Sequence, residues 1–113
     1  MKRVQAYIRT NRLEAVKSEL ERRGIMGMSV EEVRGFGRQQ GTHEAFRGSS
    51  YALNLVPKTR IETIVPDDLA EDAIQAILAA AQTGELGDGK IFVSDVETVV
   101  RISTGERDED ALT

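Results

Sequence analysis

Four segments of alternating polarity and two of helical spacing, in the order β-α-β-β-α-β, predict an α+β fold for this 113-residue chain. Two split β-α-β units of this kind form a ferredoxin-like plait, an antiparallel sheet with both helices on one face. The length predicts a single domain spanning residues 1–113.

The elements follow in order. Val4, Ala6 and Ile8 alternate with Gln5, Tyr7 and Arg9, which predicts a strand with two different faces. Asn11 with Glu14 three residues later reads as a capping box, and Leu13, Val16 and Leu20 predict a helix over 12–23. Gly24 is its stop signal. Met26, Met28 and Val30 open a second strand. A parity change by Val33 predicts a bulge near Glu31-Glu32, and the strand ends at Gly35-Phe36-Gly37. The third strand begins after Pro57, with Ile61, Thr63 and Val65 on one face. Asp68 and Glu71 read as a second capping box, ahead of the stripe Leu69, Ala73, Ile77 and Ala80. Gly84 and Gly87 end that helical region. Ile91 to Val96 is the fourth strand, and Thr98 to Ile102 predicts a short fifth. In a plait of this order one sheet face carries Tyr7, Ile64 and Phe92, which is apolar for a solvent face. Self-association is the physical way to cover it.

Composition excludes several functions. With no Cys there is no disulfide scaffold, thiolate metal site or catalytic thiol, and one histidine, His43, cannot build a His-rich metal site. No apolar run approaches the ~20 residues of a membrane span. The start, Met1-Lys2-Arg3, leads directly into a strand pattern without a signal-peptide core, so the cytoplasm is the expected compartment. The net charge of −4 argues against direct nucleic-acid binding. Residues 1–60 carry 12 Lys and Arg against 6 Asp and Glu, while residues 61–113 carry 3 against 13. The basic first half suits an anionic ligand, or is simply a set of charged helix faces.

Three places could carry chemistry. Gly35-Phe36-Gly37-Arg38-Gln39 combines glycines that admit a ligand to the backbone with an arginine fork; it also reads as an ordinary turn with a surface arginine. Gly84-Glu85-Leu86-Gly87-Asp88-Gly89-Lys90 (within a turn of about 82–90) is a phosphate nest with a lysine charge, or only a helix stop and tight turn. Between them lies a loop of about 37–57, longer than a compact domain needs, that reads as a partner-binding segment. Lys58 at its exit suits a small carboxylate, Gln39 at its entry a hard cation; read alone, Lys58 is a solvated lysine. Arg101 stands in the acidic segment 97–113, whose run Glu106 to Asp110 reads as a frayed, solvated terminus. No Ser–His–acid set or paired-carboxylate pocket emerges, so a binding module is favoured over an enzyme.

Taken together, Gly35 to Gln39, Phe46-Arg47-Gly48-Ser49-Ser50-Tyr51, Pro57-Lys58, Val65-Pro66-Asp67-Asp68, Ala81 to Gly84 and Gly87 to Val93 make the chain resemble the PII nitrogen-regulatory signalling proteins over nearly its full length. The resemblance implies a homotrimer that binds ATP or ADP in clefts between subunits. It implies that Gly35, Phe36, Gly37 and Arg38 embrace the phosphates with Gly87, Asp88, Gly89 and Lys90. Tyr7, Glu62 and Ile64 would lie by the base, with Gly27, Met28 and Ser29 supplied by the neighbouring subunit and Arg101 reaching across the interface. Gln39 would bind Mg²⁺ together with ATP and 2-oxoglutarate; Gln40, Gly41 and Lys58 would complete the 2-oxoglutarate site. Tyr51 matches a nucleotidylated position of some members, Ser49 a phosphorylated position of others, and Arg47 an arginine that enters an ammonium channel.

The chain departs from that pattern in places. Ser103 replaces a second phosphate-binding arginine, a loss worth ~1 kcal/mol. Phe46 and Ser50 differ from the common loop pattern, Tyr7 replaces an aliphatic residue, Ser29 a threonine, and Thr10-Asn11 a Pro-Phe pair. The expectation is a cytoplasmic sensor of nitrogen, carbon and energy status, not an enzyme. It would act on an ammonium channel or on nitrogen-assimilation enzymes and regulators, and would meet the inner face of the membrane only through a channel partner. The alternatives are an adenine-nucleotide sensor without a 2-oxoglutarate response, a slow nucleotide hydrolase using Arg38, Lys90 and Arg101, or a purely structural trimer.

Overall fold

The computed structural model describes residues 1–35 and 56–113. Strand β1 is Lys2–Ile8, helix α1 Leu13–Arg22, β2 Ser29–Gly35, β3 Val56–Val65, helix α2 Ala70–Ala81 and β4 Lys90–Asp95. The four strands form one antiparallel sheet in the order β2-β3-β1-β4, the ferredoxin-like α+β architecture.

Strand β1 is central. Val4, Ala6 and Ile8 lie opposite Thr63, Ile61 and Thr59 of β3, and all six are buried. Val16 and Leu20 of α1 and Ala73, Ala76, Ile77 and Ala81 of α2 pack on this face. Burying each Leu, Ile or Val stabilises the fold by roughly 2 kcal/mol, so the helices dock on this side of the sheet. The alanines let α2 approach closely. Two hydroxyls within the core find partners: Thr59 donates to the Thr10 hydroxyl at 3.0 Å and Thr63 to the Gly27 carbonyl at 2.6 Å. The second bond pins the Gly27–Ser29 segment to the sheet.

Several local expectations are corrected. Neither capping box forms. The chain enters α1 through a 3₁₀ turn at Thr10–Arg12 and α2 through one at Asp67–Leu69. Backbone bonds there, Arg12 N–H to Arg9 O and Leu69 N–H to Pro66 O, leave Asn11 and Asp68 inside the turns, not at the cap positions. The end of α1 matches its signal. Gly24 has φ +85°, with Gly24 N–H on Glu21 O and Ile25 N–H on Leu20 O, a Schellman closure.

Strand β2 starts at Ser29, later than its methionines suggested, and pairs with β3 residue for residue from Ser29–Glu62 to Gly35–Val56 without a bulge. Val33 therefore lies with Lys58 on the open face. β3 already starts at Val56. It tolerates Pro57 because β1 ends at the level of Thr59, leaving Pro57 paired on one side only. Thr98 to Ile102 is no strand: one bridge joins Val100 to Arg107, and the expected frayed end folds as a 3₁₀ turn at Asp108–Leu112. Among the described residues no helix is long and apolar enough to cross a membrane.

The sheet's other face carries Arg3, Gln5 and Tyr7 of β1, Glu62 and Ile64 of β3, and Lys90 and Phe92 of β4. Tyr7 and Phe92 are exposed and meet edge to face, with centroids 6.1 Å apart.

Where β4 joins this face, Gly89 has φ +100°, and a Cβ there would stand 1.6 Å from the Tyr7 carbonyl oxygen. Gly89→Ala is expected to cost about 3 kcal/mol, because backbone cannot move aside. Gly84→Ala, at φ +88° in open space, should cost only about 1 kcal/mol. Denaturant unfolding of the two variants checks the difference.

Candidate functional site

The turn Thr83–Gly89 between α2 and β4 is built around one carboxylate. Asp88 accepts the Thr83 and Gly84 backbone N–H groups at 2.7 and 2.9 Å and the Thr83 hydroxyl at 2.5 Å. Arg9 Nε donates to the same carboxylate at 3.1 Å. The Thr83 hydroxyl, then the backbone amides and Arg9, hold this acid well below the usual carboxylate range. Arg9 Nη2 donates to the Leu86 carbonyl at 2.8 Å, and Lys58 Nζ donates to the Gly87 carbonyl. Three ties thus fix the turn to the ends of β1 and β3.

That turn forms one wall of a cleft of about 690 Å³. Gly35 and Lys58 form a second wall, and Tyr7 and Phe92 an aromatic third. Gly87 and Gly89 both have φ near +100°, a conformation that L side chains avoid, and Lys90 follows them at the mouth. Partial burial, and then the like charge of Arg9, push the Lys58 ammonium below its ordinary pKa, while Asp88 opposes the shift. An anion in the cleft would relieve that cost. Glycine amides beside a lysine on one side and stacking surface on the other suit an anionic, aromatic ligand such as a nucleotide.

The structure brings together Tyr7, Gly35, Lys58, Gly87, Asp88, Gly89 and Lys90. The Asp88 carboxylate is turned onto its own turn. Ser29 and Glu62 line a separate cavity of about 280 Å³ at the β2 side of the open face. Glu62 there accepts Gln5 Nε2 at 3.0 Å and lies 3.7 Å from Arg3 Nε. Ile64 shares that face. Gly27 and Met28 precede β2 and do not line the cleft. Arg101 does not line it either. Its guanidinium is ion-paired with Glu106 and donates to the carbonyls of Asp110 and Thr113. Phe36, Gly37, Arg38, Gln39, Gln40, Gly41, Arg47, Ser49 and Tyr51 lie outside the described residues.

Sequence reasoning placed Thr83 and Leu86 in the candidate turn but missed Arg9 as the residue that ties that turn down. A basic residue at a strand end gives no signal until the turn 77 residues later folds against it.

A depressed carboxylate pKa contributes stability that is full above the unfolded value, about 4, and is lost as pH falls toward the folded value. The Tm of the wild type should therefore fall more steeply below pH 4 than that of Asp88→Asn. Thermal scans from pH 6 to pH 2 measure it; parallel acid limbs would show that Asp88 has no such role.

Comparison with known proteins places this chain in a family. The family model described as Nitrogen regulatory protein P-II matches residues 1–106. Over 112 residues the chain is 49% identical to the Nitrogen regulatory protein P-II of Haemophilus influenzae and 50% to that of Rhodobacter capsulatus, covering 99% of this chain and 100% of each relative. It is 48% identical, over the same shares, to Nitrogen regulatory protein P-II 1 of Escherichia coli K12. The crystal structure of Arabidopsis thaliana PII bound to citrate matches with a TM-score of 0.80 at 39% identity, covering 98% of this chain and 88% of that one. The chain belongs to the nitrogen regulatory protein P-II family, signal transducers rather than enzymes.

Proposed function

We propose that the chain is a homotrimeric sensor that binds ATP or ADP between subunits and, with Mg-ATP, 2-oxoglutarate. Its readout is the long loop of about 37–57, acting on an ammonium channel or on nitrogen-assimilation enzymes and regulators. The observation that carries this reading is the cleft where the glycine turn, Lys58, Lys90 and the Tyr7–Phe92 wall meet.

In this reading the Gly87 and Gly89 amides face the phosphates with Lys90, and Tyr7 lies against the base. Gly27, Met28, Ser29 and Arg101 come from a neighbouring subunit. The exposed Tyr7 and Phe92, with Ile64 farther along the same face opposite Arg3, give subunits apolar surface to bury.

Lys58 serves the oxo acid. Its ammonium now rests on a neutral carbonyl, and a carboxylate is the stronger acceptor. That a relative is solved with citrate supports a small-carboxylate site in this fold. Gln39, assigned to Mg²⁺, lies outside the described residues. Among the described residues no three His, Cys, Asp or Glu are grouped to hold a metal. A magnesium ion held chiefly by phosphate and oxo-acid oxygens needs no such group. Tyr51 and Ser49 remain proposed modification positions, and Arg47 a proposed partner contact.

Sedimentation should give three times the 12.5 kDa chain mass. Calorimetric titration should show 2-oxoglutarate binding with Mg-ATP and none with Mg-ADP. Lys58→Met should weaken the acid about tenfold or more while leaving ATP bound. Binding of ATP alone, with no response to the acid, would replace this reading with an adenylate-only sensor.

A further inference from the structure

Arg9 lies at the end of β1 and does not line the cleft. It lines a separate, smaller cavity of about 300 Å³ with Thr10, Asn11 and the start of β3, Val56 to Lys58. Yet its guanidinium makes two bonds to the turn, Nε to Asp88 Oδ1 at 3.1 Å and Nη2 to the Leu86 carbonyl at 2.8 Å. Asp88 in turn holds the Thr83 and Gly84 amides and the Thr83 hydroxyl. Among the described residues, every hydrogen bond of the Asp88 carboxylate therefore lies within the turn or with Arg9.

We propose that Arg9 is a positioning residue for the phosphate-facing turn, acting through Asp88, and that Asp88 serves the site from behind rather than by touching a ligand. This rests on the reading that Gly87 and Gly89 face nucleotide phosphates. Two physical effects follow from the geometry. The fork fixes where the carboxylate sits, and the carboxylate fixes the turn that presents the glycines. The guanidinium also balances Asp88, the carboxylate that the turn's own amides surround; Glu85 is the turn's other acid. Without Arg9 the Asp88 charge would face incoming phosphates uncompensated. Lysine would restore the charge but make only one of the two bonds.

The test uses Arg9→Gln, Arg9→Lys, Asp88→Asn and the double variant Arg9→Gln/Asp88→Asn in the full chain. Amide hydrogen exchange without ligand reads the turn, and calorimetry with ADP reads the site. Arg9→Gln should speed exchange at Thr83 and Gly84 about tenfold while the buried β1 and β3 amides keep their protection, which also reports that the variant is folded. ADP affinity should fall about tenfold in Arg9→Gln and about threefold in Arg9→Lys. The double variant should bind no worse than Arg9→Gln, because both changes break one unit.

Unchanged exchange in Arg9→Gln overturns the proposal, as does unchanged ADP affinity despite a loosened turn. Additive losses in the double variant overturn action through Asp88. If the wild type binds no ADP, the nucleotide reading of the cleft fails instead, and the exchange data still decide whether Arg9 holds the turn.

Discussion

The register of β1 governs the rest of the molecule. It is one of the two inner strands, with Ala6 opposite Ile61 of β3 on one side and Ile91 of β4 on the other. Its period of two sends Val4, Ala6 and Ile8 into the helices and Arg3, Gln5 and Tyr7 to the open face. A slip of one residue would exchange those sets and bury charge. Gly89 makes the slip harder still, since its backbone approaches Tyr7 where no side chain could be accommodated. The same contact that closes the core places the glycine turn beside the aromatic pair.

Charge around the turn follows a simple logic. Arg9, Lys58 and Lys90 converge where Asp88 is the acid bonded to the turn's own amides. Asp88 is satisfied inwardly and Arg9 is bound to it. Lys58 donates to a carbonyl, a weak partner for an ammonium that desolvation already disfavours. The cleft therefore sets the ammonium groups of Lys58 and Lys90 against Glu85, with the Asp88 carboxylate bonded within its own turn. The net charge of −4 is thus unevenly spread, with Arg9, Lys58 and Lys90 gathered around this one turn.

Much of the fold was legible because alternation and helical spacing are strong signals over several residues. The four strands, two helices, the shared core face and the placing of Tyr7, Ile64 and Phe92 on the open face, among charged residues, all followed from them. Signals resting on one or two residues failed. Asn11 with Glu14 and Asp68 with Glu71 have capping-box spacing, but 3₁₀ turns satisfied the amides with backbone first. The Val33 parity change suggested a bulge, yet Val33 sits in perfect register beside Lys58 on a face that only the assembled sheet defines. In the site, Gly87, Gly89, Lys90 and Lys58 were legible as residue types suited to anions. Arg9 was not, because its meaning depends on a carboxylate 79 positions away.

Element order, the face each strand buries, the residue chemistry of the glycine turn and, through its motifs, the family are all written in the local pattern of residues. These are properties of residues close together in the chain, where spacing alone controls which side chains share a face. Only the tertiary structure decided that Lys58 grips Gly87, that Arg9 and Asp88 form one unit, that Arg101 is held by its own C-terminal segment, and that Tyr7 and Phe92 stand together as one wall. Such pairings join distant segments through sheet register and turn geometry. They exist only once β1 has aligned β3 and β4 on either side of it.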